Sequence, residues 1–171
     1  AGKKTTAYGV SSLSAAEPVL LSEVDTGEEA RMETGIGELD RVLGGGLVDG
    51  MVVLLGGDPG IGKSTLLLQA ADKLSSSNTV LYVSGEESRS QIKIRADRLG
   101  IQSNPYLYCE TSIDDAIDQA KTLKADIMIV DSVQTMQSET AESAAGSVTQ
   151  VRSVTAVLTR FAKETGTTVL I

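Results

Sequence analysis

The run Gly57-Asp58-Pro59-Gly60-Ile61-Gly62-Lys63-Ser64-Thr65 satisfies the pattern G-x-x-x-x-G-K-[ST] without deviation. No other stretch constrains the chain as strongly, because this loop works only between a strand and a helix. Both flanks are present. Met51-Val52-Val53-Leu54-Leu55 is a short apolar run that reads as a buried strand. Thr65 to Leu74 reads as a helix with Leu66, Leu67, Ala70, Ala71 and Leu74 on one face. In that arrangement the backbone N–H groups of the loop cradle phosphate oxygens, aided by the positive end of the helix. Lys63 then reaches the β- and γ-phosphates and the Ser64 hydroxyl serves Mg²⁺. The expected ligand is ATP with Mg²⁺.

From residue 51 the apolar pattern alternates between strand and helix. Strands are expected at 51–55, 79–83, 106–109, 126–130 and 167–171. Helices are expected at 64–75, 88–99, 112–124 and 146–165. Ser88-x-x-Gln91 is a capping box, and Gly100 ends the same helix. Ser112 starts the next, with Asp114 and Asp115 in its first turn. Val148, Val151, Val154, Leu158 and Phe161 mark the inner face of the last. Such alternation means βαβ units, hence an α/β fold with a parallel sheet and helices on both faces. Upstream, residues 34–50 suggest a short helix burying Leu39, Val42 and Leu43, then a turn through Gly44-Gly45-Gly46. Residues 1–30 show no period and are expected to be an extended or partly disordered lead-in to the domain at 31–171.

Two further strand ends carry acids. Ile127-Met128-Ile129-Val130-Asp131 is an apolar strand closing on a carboxylate, the Walker B pattern. Strand carboxyl ends line the ligand crevice of a parallel sheet, so Asp131 joins Ser64 as the expected Mg²⁺ site. Leu81-Tyr82-Val83-Ser84-Gly85-Glu86-Glu87 places two more acids at such an end. Either Glu86 or Glu87 could orient a water for attack on a phosphate, and either could merely favour the N-terminus of the next helix. Gln134 stands where a γ-phosphate sensor would, although an exposed loop glutamine is the commoner reading. Arg89, Lys93, Arg95 and Arg98 read as a solvated helix face, as do Arg152 and Arg160. Residues 135–147 are small and polar, with Met136 the one large apolar side chain and neither Lys nor Arg, so a mobile loop is expected.

Composition narrows the function. The net charge of −8 argues against a generally basic nucleic-acid coat, though a local basic groove is compatible with it. Aromatics at 3 % argue against a broad base-stacking platform. A single Cys109 and no histidine leave no thiol or imidazole metal site and no internal disulfide. Cys109 itself reads as a small strand residue. No apolar run reaches the ~20 residues of a membrane helix, and Ala1-Gly2-Lys3-Lys4 leads into no signal-like segment. The expected location is the cytoplasm, without a membrane partner.

Taken together, Thr34-Gly35-Ile36-Gly37-Glu38-Leu39-Asp40, Gly44-Gly45-Gly46-Leu47, the loop at 57–65, Val83-Ser84-Gly85-Glu86-Glu87-Ser88, Val130-Asp131-Ser132-Val133-Gln134 and Gly146-Ser147-Val148-Thr149-Gln150-Val151-Arg152 resemble the bacterial RadA (Sms) family of DNA repair proteins. The resemblance covers about residues 19–171. It implies a RecA-like P-loop ATPase core with the strand order 106–109, 79–83, 126–130, 167–171, 51–55. It also implies ATP hydrolysis, single-stranded DNA binding, hexameric rings that drive branch migration in recombination, and room for a recombinase partner. Under it Glu86 is the water-activating residue, and Gln137, Ser138 and Arg152 fall in or beside a DNA-binding loop. The family's four-cysteine zinc finger and the segments beyond the strand at 167–171 have no counterpart here, so the expectation is the front part of the ATPase core. The rival resemblance is to KaiC-like signalling ATPases, which share the glycine turn and the P-loop; a P-loop phosphotransferase would need a basic lid segment that is not evident.

Overall fold

Strands and helices alternate from Val52 onward in the computed structural model, which describes residues 18–25, 30–140 and 143–171. The elements are α1 (Gly37–Val42), β1 (Val52–Val53), α2 (Lys63–Ser75), β2 (Val80–Ser84), α3 (Arg89–Leu99), β3 (Tyr106–Tyr108), α4 (Ile113–Leu123), β4 (Ile127–Asp131), α5 (Val148–Thr165) and β5 (Thr168–Leu170). A five-stranded sheet runs in the order β1-β5-β4-β2-β3, and every pairing is parallel. This is the order the resemblance implies. The β1 ladder is longer than its two named residues: Val169 N–H donates to Met51 O, and Leu55 N–H to Ile171 O.

The sheet is buried on both sides, so its central strands lack polar alternation. Val80 to Ser84 and Ile127 to Val130 are all buried. Leu81, Val83, Met128, Val130 and Val169 face α4 and α5. Val80, Tyr82, Ile127, Ile129 and Leu170 face α2 and α3. Helix starts follow the capping signals. Ser88 Oγ accepts from Gln91 N–H and Gln91 Oε1 from Ser88 N–H, while Ser112 and Ser147 cap α4 and α5. Gly46 lies at φ +130°, and a Cβ there would stand 2.4 Å from Met32 O. Only glycine lets the chain turn so that Leu47 pairs with Met32 and becomes fully buried.

Several expectations need correction. In α2, Leu68 is buried rather than Leu66. Val42 is exposed, because α1 is one short helix with only Leu39 and Leu43 partly covered. Helix α5 begins at Val148, whose position in the first turn leaves it exposed. The segment after β4 is anchored, not free: Met136 is fully buried, Gln137 bridges Ser112, and Glu139 N–H donates to Asp114 Oδ2. The expected lead-in at 1–30 lies largely outside the described residues, as do 141–142.

Candidate nucleotide site

The loop at 57–62 emerges from the carboxyl end of β1 and is solvent-exposed, and Gly62 starts α2 in the left-handed conformation at φ +103°. Lys63, Ser64 and Thr65 therefore open the helix. Their amides have no partner a turn earlier and are free to meet an anion. The Lys63 ammonium folds back to donate to Gly57 O, so it spans the loop it would share with a phosphate. Asp58, Pro59, Gly60 and Ile61 form the exposed arch between them. Ile61 Cγ2 lies 3.0 Å from where a Cβ on Gly57 would be, so a larger residue there would push the exposed Ile61 side chain aside.

Sixty-seven positions downstream, Asp131 closes β4, two strands from β1. Ser64 Oγ donates to Asp131 Oδ1 at 3.0 Å. A hydroxyl and a carboxylate this close are a hard-oxygen donor pair of the kind Mg²⁺ takes. Among the described residues no group of three or more His, Cys, Asp or Glu gathers as metal ligands. A cation here would thus lean on phosphate oxygens as well, and the residues present fit a nucleotide-borne Mg²⁺.

The other Asp131 oxygen is held from the neighbouring strand. Tyr82 Oη donates to Asp131 Oδ2 at 2.6 Å. Burial, then the charge and hydrogen bond of Asp131, push the Tyr82 phenol far above its usual range, with Arg95 acting in the opposite sense. The phenol thus stays protonated and remains a donor. Arg95, read from sequence as part of a solvated face, instead points inward. Its Nη2 donates to Glu87 Oε1 at 2.6 Å and approaches Tyr82 Oη at 3.5 Å, and its side chain is 18 % exposed. Sequence reasoning missed Tyr82 altogether. The available signal was a phenol inside an otherwise apolar strand, where its hydroxyl requires a partner.

The two acids separate. Ser84 pairs with Asp131 across β2 and β4, and Gly85 N–H donates to Asp131 O, so the acidic corner begins beside Asp131. Glu87 is tied to Arg95, and its N–H donates to Ser84 Oγ. Glu86 is exposed at the corner. Gly85 packs so closely on Thr135 that a Cβ would stand 2.3 Å from its Oγ1.

Gln134 is exposed in the 3₁₀ turn Val133–Thr135. Gln137 and Arg152 are exposed, whereas Ser138 is buried with its Oγ against Thr140 Oγ1 at 3.0 Å. Gln150, quoted in the sequence only as part of a motif, is the clasp of this region. It is buried, donates through Nε2 to Val133 O and Met136 O, and accepts from Gly146 N–H through Oε1. Cys109 is half-buried, and burial raises its thiol pKa, with Arg89 opposing and Glu110 and Glu87 adding to the rise.

Comparison with known proteins identifies a family and several relatives. A family model described as AAA domain matches residues 16–171. The DNA repair protein RadA of Streptococcus pneumoniae is 52 % identical over 148 residues, 86 % of this chain and 35 % of that protein. RadA of Bacillus subtilis is 50 % identical over 158 residues, 91 % of this chain and 34 % of its own length. RadA of Pseudomonas aeruginosa is 50 % identical over 152 residues, 88 % of this chain and 34 % of its own. The chain thus spans about a third of the length of the curated relatives it matches.

Proposed function

Since the chain belongs to the AAA domain family and, within it, to the DNA repair protein RadA family, we propose that it is the nucleotide-binding part of a DNA repair ATPase. The observation that carries this reading is the 3.0 Å contact between Ser64 Oγ and Asp131 Oδ1. It joins the phosphate loop to the acid-terminated strand at the carboxyl edge of a parallel sheet, where nucleotides bind in open α/β folds.

In this reading the amides of Gly60 to Thr65 and the Lys63 ammonium hold the β- and γ-phosphates. Ser64 and Asp131 hold Mg²⁺, whose chemistry is to neutralise charge on the phosphate oxygens. Glu86 orients the attacking water. Glu87 is less suited to that role, because its carboxylate is already engaged by Arg95. Gln134, exposed just past β4, is placed to respond to the γ-phosphate end of the nucleotide.

The longer protein would couple this cycle to single-stranded DNA, in a homo-oligomeric ring that promotes branch migration. Gln137 and Arg152 are the side chains offered to DNA, since both are exposed, while the Ser138 hydroxyl is turned onto Thr140. One basic side chain at this place gives weak binding per subunit, and affinity would come from several copies acting together. The relatives carry the description DNA repair protein, which favours this reading over the signalling one. The domain boundary at residue 31 and a cytoplasmic location belong to the same proposal. No helix among the described residues is long and apolar enough to cross a membrane.

Two measurements test it. This chain should bind a fluorescent ATP analogue more tightly with Mg²⁺ than with chelator. The longer protein should hydrolyse ATP faster with single-stranded DNA, and Arg152→Ala should reduce that stimulation. Hydrolysis indifferent to DNA would leave an ATPase without the repair role.

A further inference from the structure

We propose that Tyr82 and Arg95 are positioning residues that fix the orientation of the Asp131 carboxylate and tie it to the Glu86–Glu87 corner. This deepens the nucleotide-site reading and rests on it.

The starting point is that both Asp131 oxygens are taken. Ser64 Oγ donates to Oδ1 at 3.0 Å and Tyr82 Oη to Oδ2 at 2.6 Å. A carboxylate held at both ends cannot swing about its terminal torsion, so Oδ1 stays aimed at the Ser64 hydroxyl. The phenol holds no packing monopoly. Tyr82 is fully buried among Leu68, Val80, Ile92 and Ile129, and a phenyl ring would fill the same volume. What the hydroxyl adds is the bond to Asp131, a charge-assisted O–H···O⁻ contact, roughly twice as strong as a neutral one.

Arg95 extends the chain of contacts. It reaches from α3 so that one nitrogen, Nη2, meets both Glu87 Oε1 and Tyr82 Oη. Its Nε and Nη1 are buried without a partner. A guanidinium placed like this is costly, and an apolar side chain of similar size would pack α3 at least as well. Stability therefore does not account for the residue, whereas its position does. It polarises the phenol that orients Asp131 and, through Glu87, anchors the residue next to Glu86. The line Glu87–Arg95–Tyr82–Asp131–Ser64 runs from the acidic corner to the phosphate loop in four contacts.

The test is a Mg²⁺ titration of fluorescent ATP-analogue binding to this chain, with Tyr82→Phe, Arg95→Met and the double variant. Affinity in EDTA and the melting temperature are measured alongside. Tyr82→Phe should raise the Mg²⁺ midpoint by about tenfold, the scale of one lost hydrogen bond to a charged group, while leaving the EDTA affinity unchanged. Arg95→Met should raise the midpoint by about threefold alone and hardly at all in the Tyr82→Phe background, because it acts through the phenol. Arg95→Met should also fold, since it removes a costly buried charge. An unshifted midpoint in Tyr82→Phe overturns the proposal, and so do independent, multiplying effects of the two substitutions. If the parent chain binds the analogue without any response to Mg²⁺, the site reading falls and this inference with it. If the parent responds and Tyr82→Phe matches it, only this inference falls.

Discussion

Replacing Gly85 with alanine tests whether the acidic corner and the segment after β4 are one packed unit. The backbone of Gly85 is not in the left-handed region, so strain of that origin is absent and the effect is steric. A new Cβ would stand 2.3 Å from Thr135 Oγ1, 2.9 Å from Thr135 Cβ and 3.0 Å from Met136 Cε. Neither neighbour yields easily. Thr135 Oγ1 donates to Ser132 O at 2.9 Å, and Met136 is fully buried beneath α5. Overpacking of this kind costs about 1–3 kcal/mol. Turning Thr135 away forfeits its hydrogen bond, about 1 kcal/mol more. For a chain of this size a loss of about 3 kcal/mol lowers the melting temperature by about 6–12 °C. Thermal unfolding followed by far-UV circular dichroism reads this directly. Thr135→Gly in the same chain removes the two closer atoms and leaves only Met136 Cε, so the double variant should be more stable than the two single effects predict by at least about 1 kcal/mol. A melting temperature for Gly85→Ala within about a degree of the parent, where about 3 kcal/mol is expected, would refute the contact. Strict additivity with Thr135→Gly would refute its partner.

Lys63→Ala should abolish tight ATP-analogue binding, since among the described residues Lys63 is the cation that spans the loop; a titration with unchanged affinity would remove it from the site. In the longer protein, Glu86→Gln should keep ATP binding and lower kcat by about 10²-fold or more, as for loss of a general base, read by steady-state hydrolysis. Glu87→Gln should instead weaken the hold on Arg95, shifting the melting temperature more than kcat; the reverse pattern would move the base by one residue. Gln150→Ala should destabilise the chain by about 1–3 kcal/mol, because it strands the buried carbonyl of Met136, while Val133 O keeps the Met136 N–H, measured by urea unfolding. Cys109 should react with iodoacetamide at pH 7.5 more slowly than a free thiol, because its raised pKa lowers the thiolate fraction there.

The features legible in sequence are those whose physics is local. The P-loop is a backbone device written in glycines. The caps at Ser88 and Ser112 need only residues three apart in the chain. Asp131 was legible because a strand buried on both faces leaves an apolar run that stops at its acid. The strand order came from resemblance, since alternation alone yields parallel strands without ordering them. The errors in the helices are ones of edge and angle. Val148 has the right spacing for the inner face of α5 but sits before the helix reaches the core, and the buried stripe of α2 includes Leu68 while Leu66 is only partly covered.

What stayed illegible depends on contacts between distant segments, and Arg95 shows why. On α3 it belongs to a basic series with Arg89, Lys93 and Arg98, and their shared charge suggests a common solvated face, yet Arg95 lies three residues after the buried Ile92 and four before Leu99, on the inner side of the helix. Its real surroundings are set by β2, where Tyr82 faces α3 because Leu81 and Val83 face the other layer. The phase of α3 turns Arg95 inward, and the strand's alternation decides that it meets the Tyr82 phenol there. The same holds for Gln150, whose amide closes a clasp between the turn after β4 and the start of α5. Both are polar side chains turned inward at the carboxyl edge of the sheet, Gln150 fully buried and Arg95 largely so. There the apolar layers end, and polar groups need partners that only tertiary structure supplies: main-chain groups for Gln150, side chains for Arg95. This edge is also where a nucleotide would bind. Of the two, Arg95 reaches the Tyr82 phenol that holds Asp131 and the Glu87 carboxylate at the acidic corner, while Gln150 holds the turn that follows Asp131.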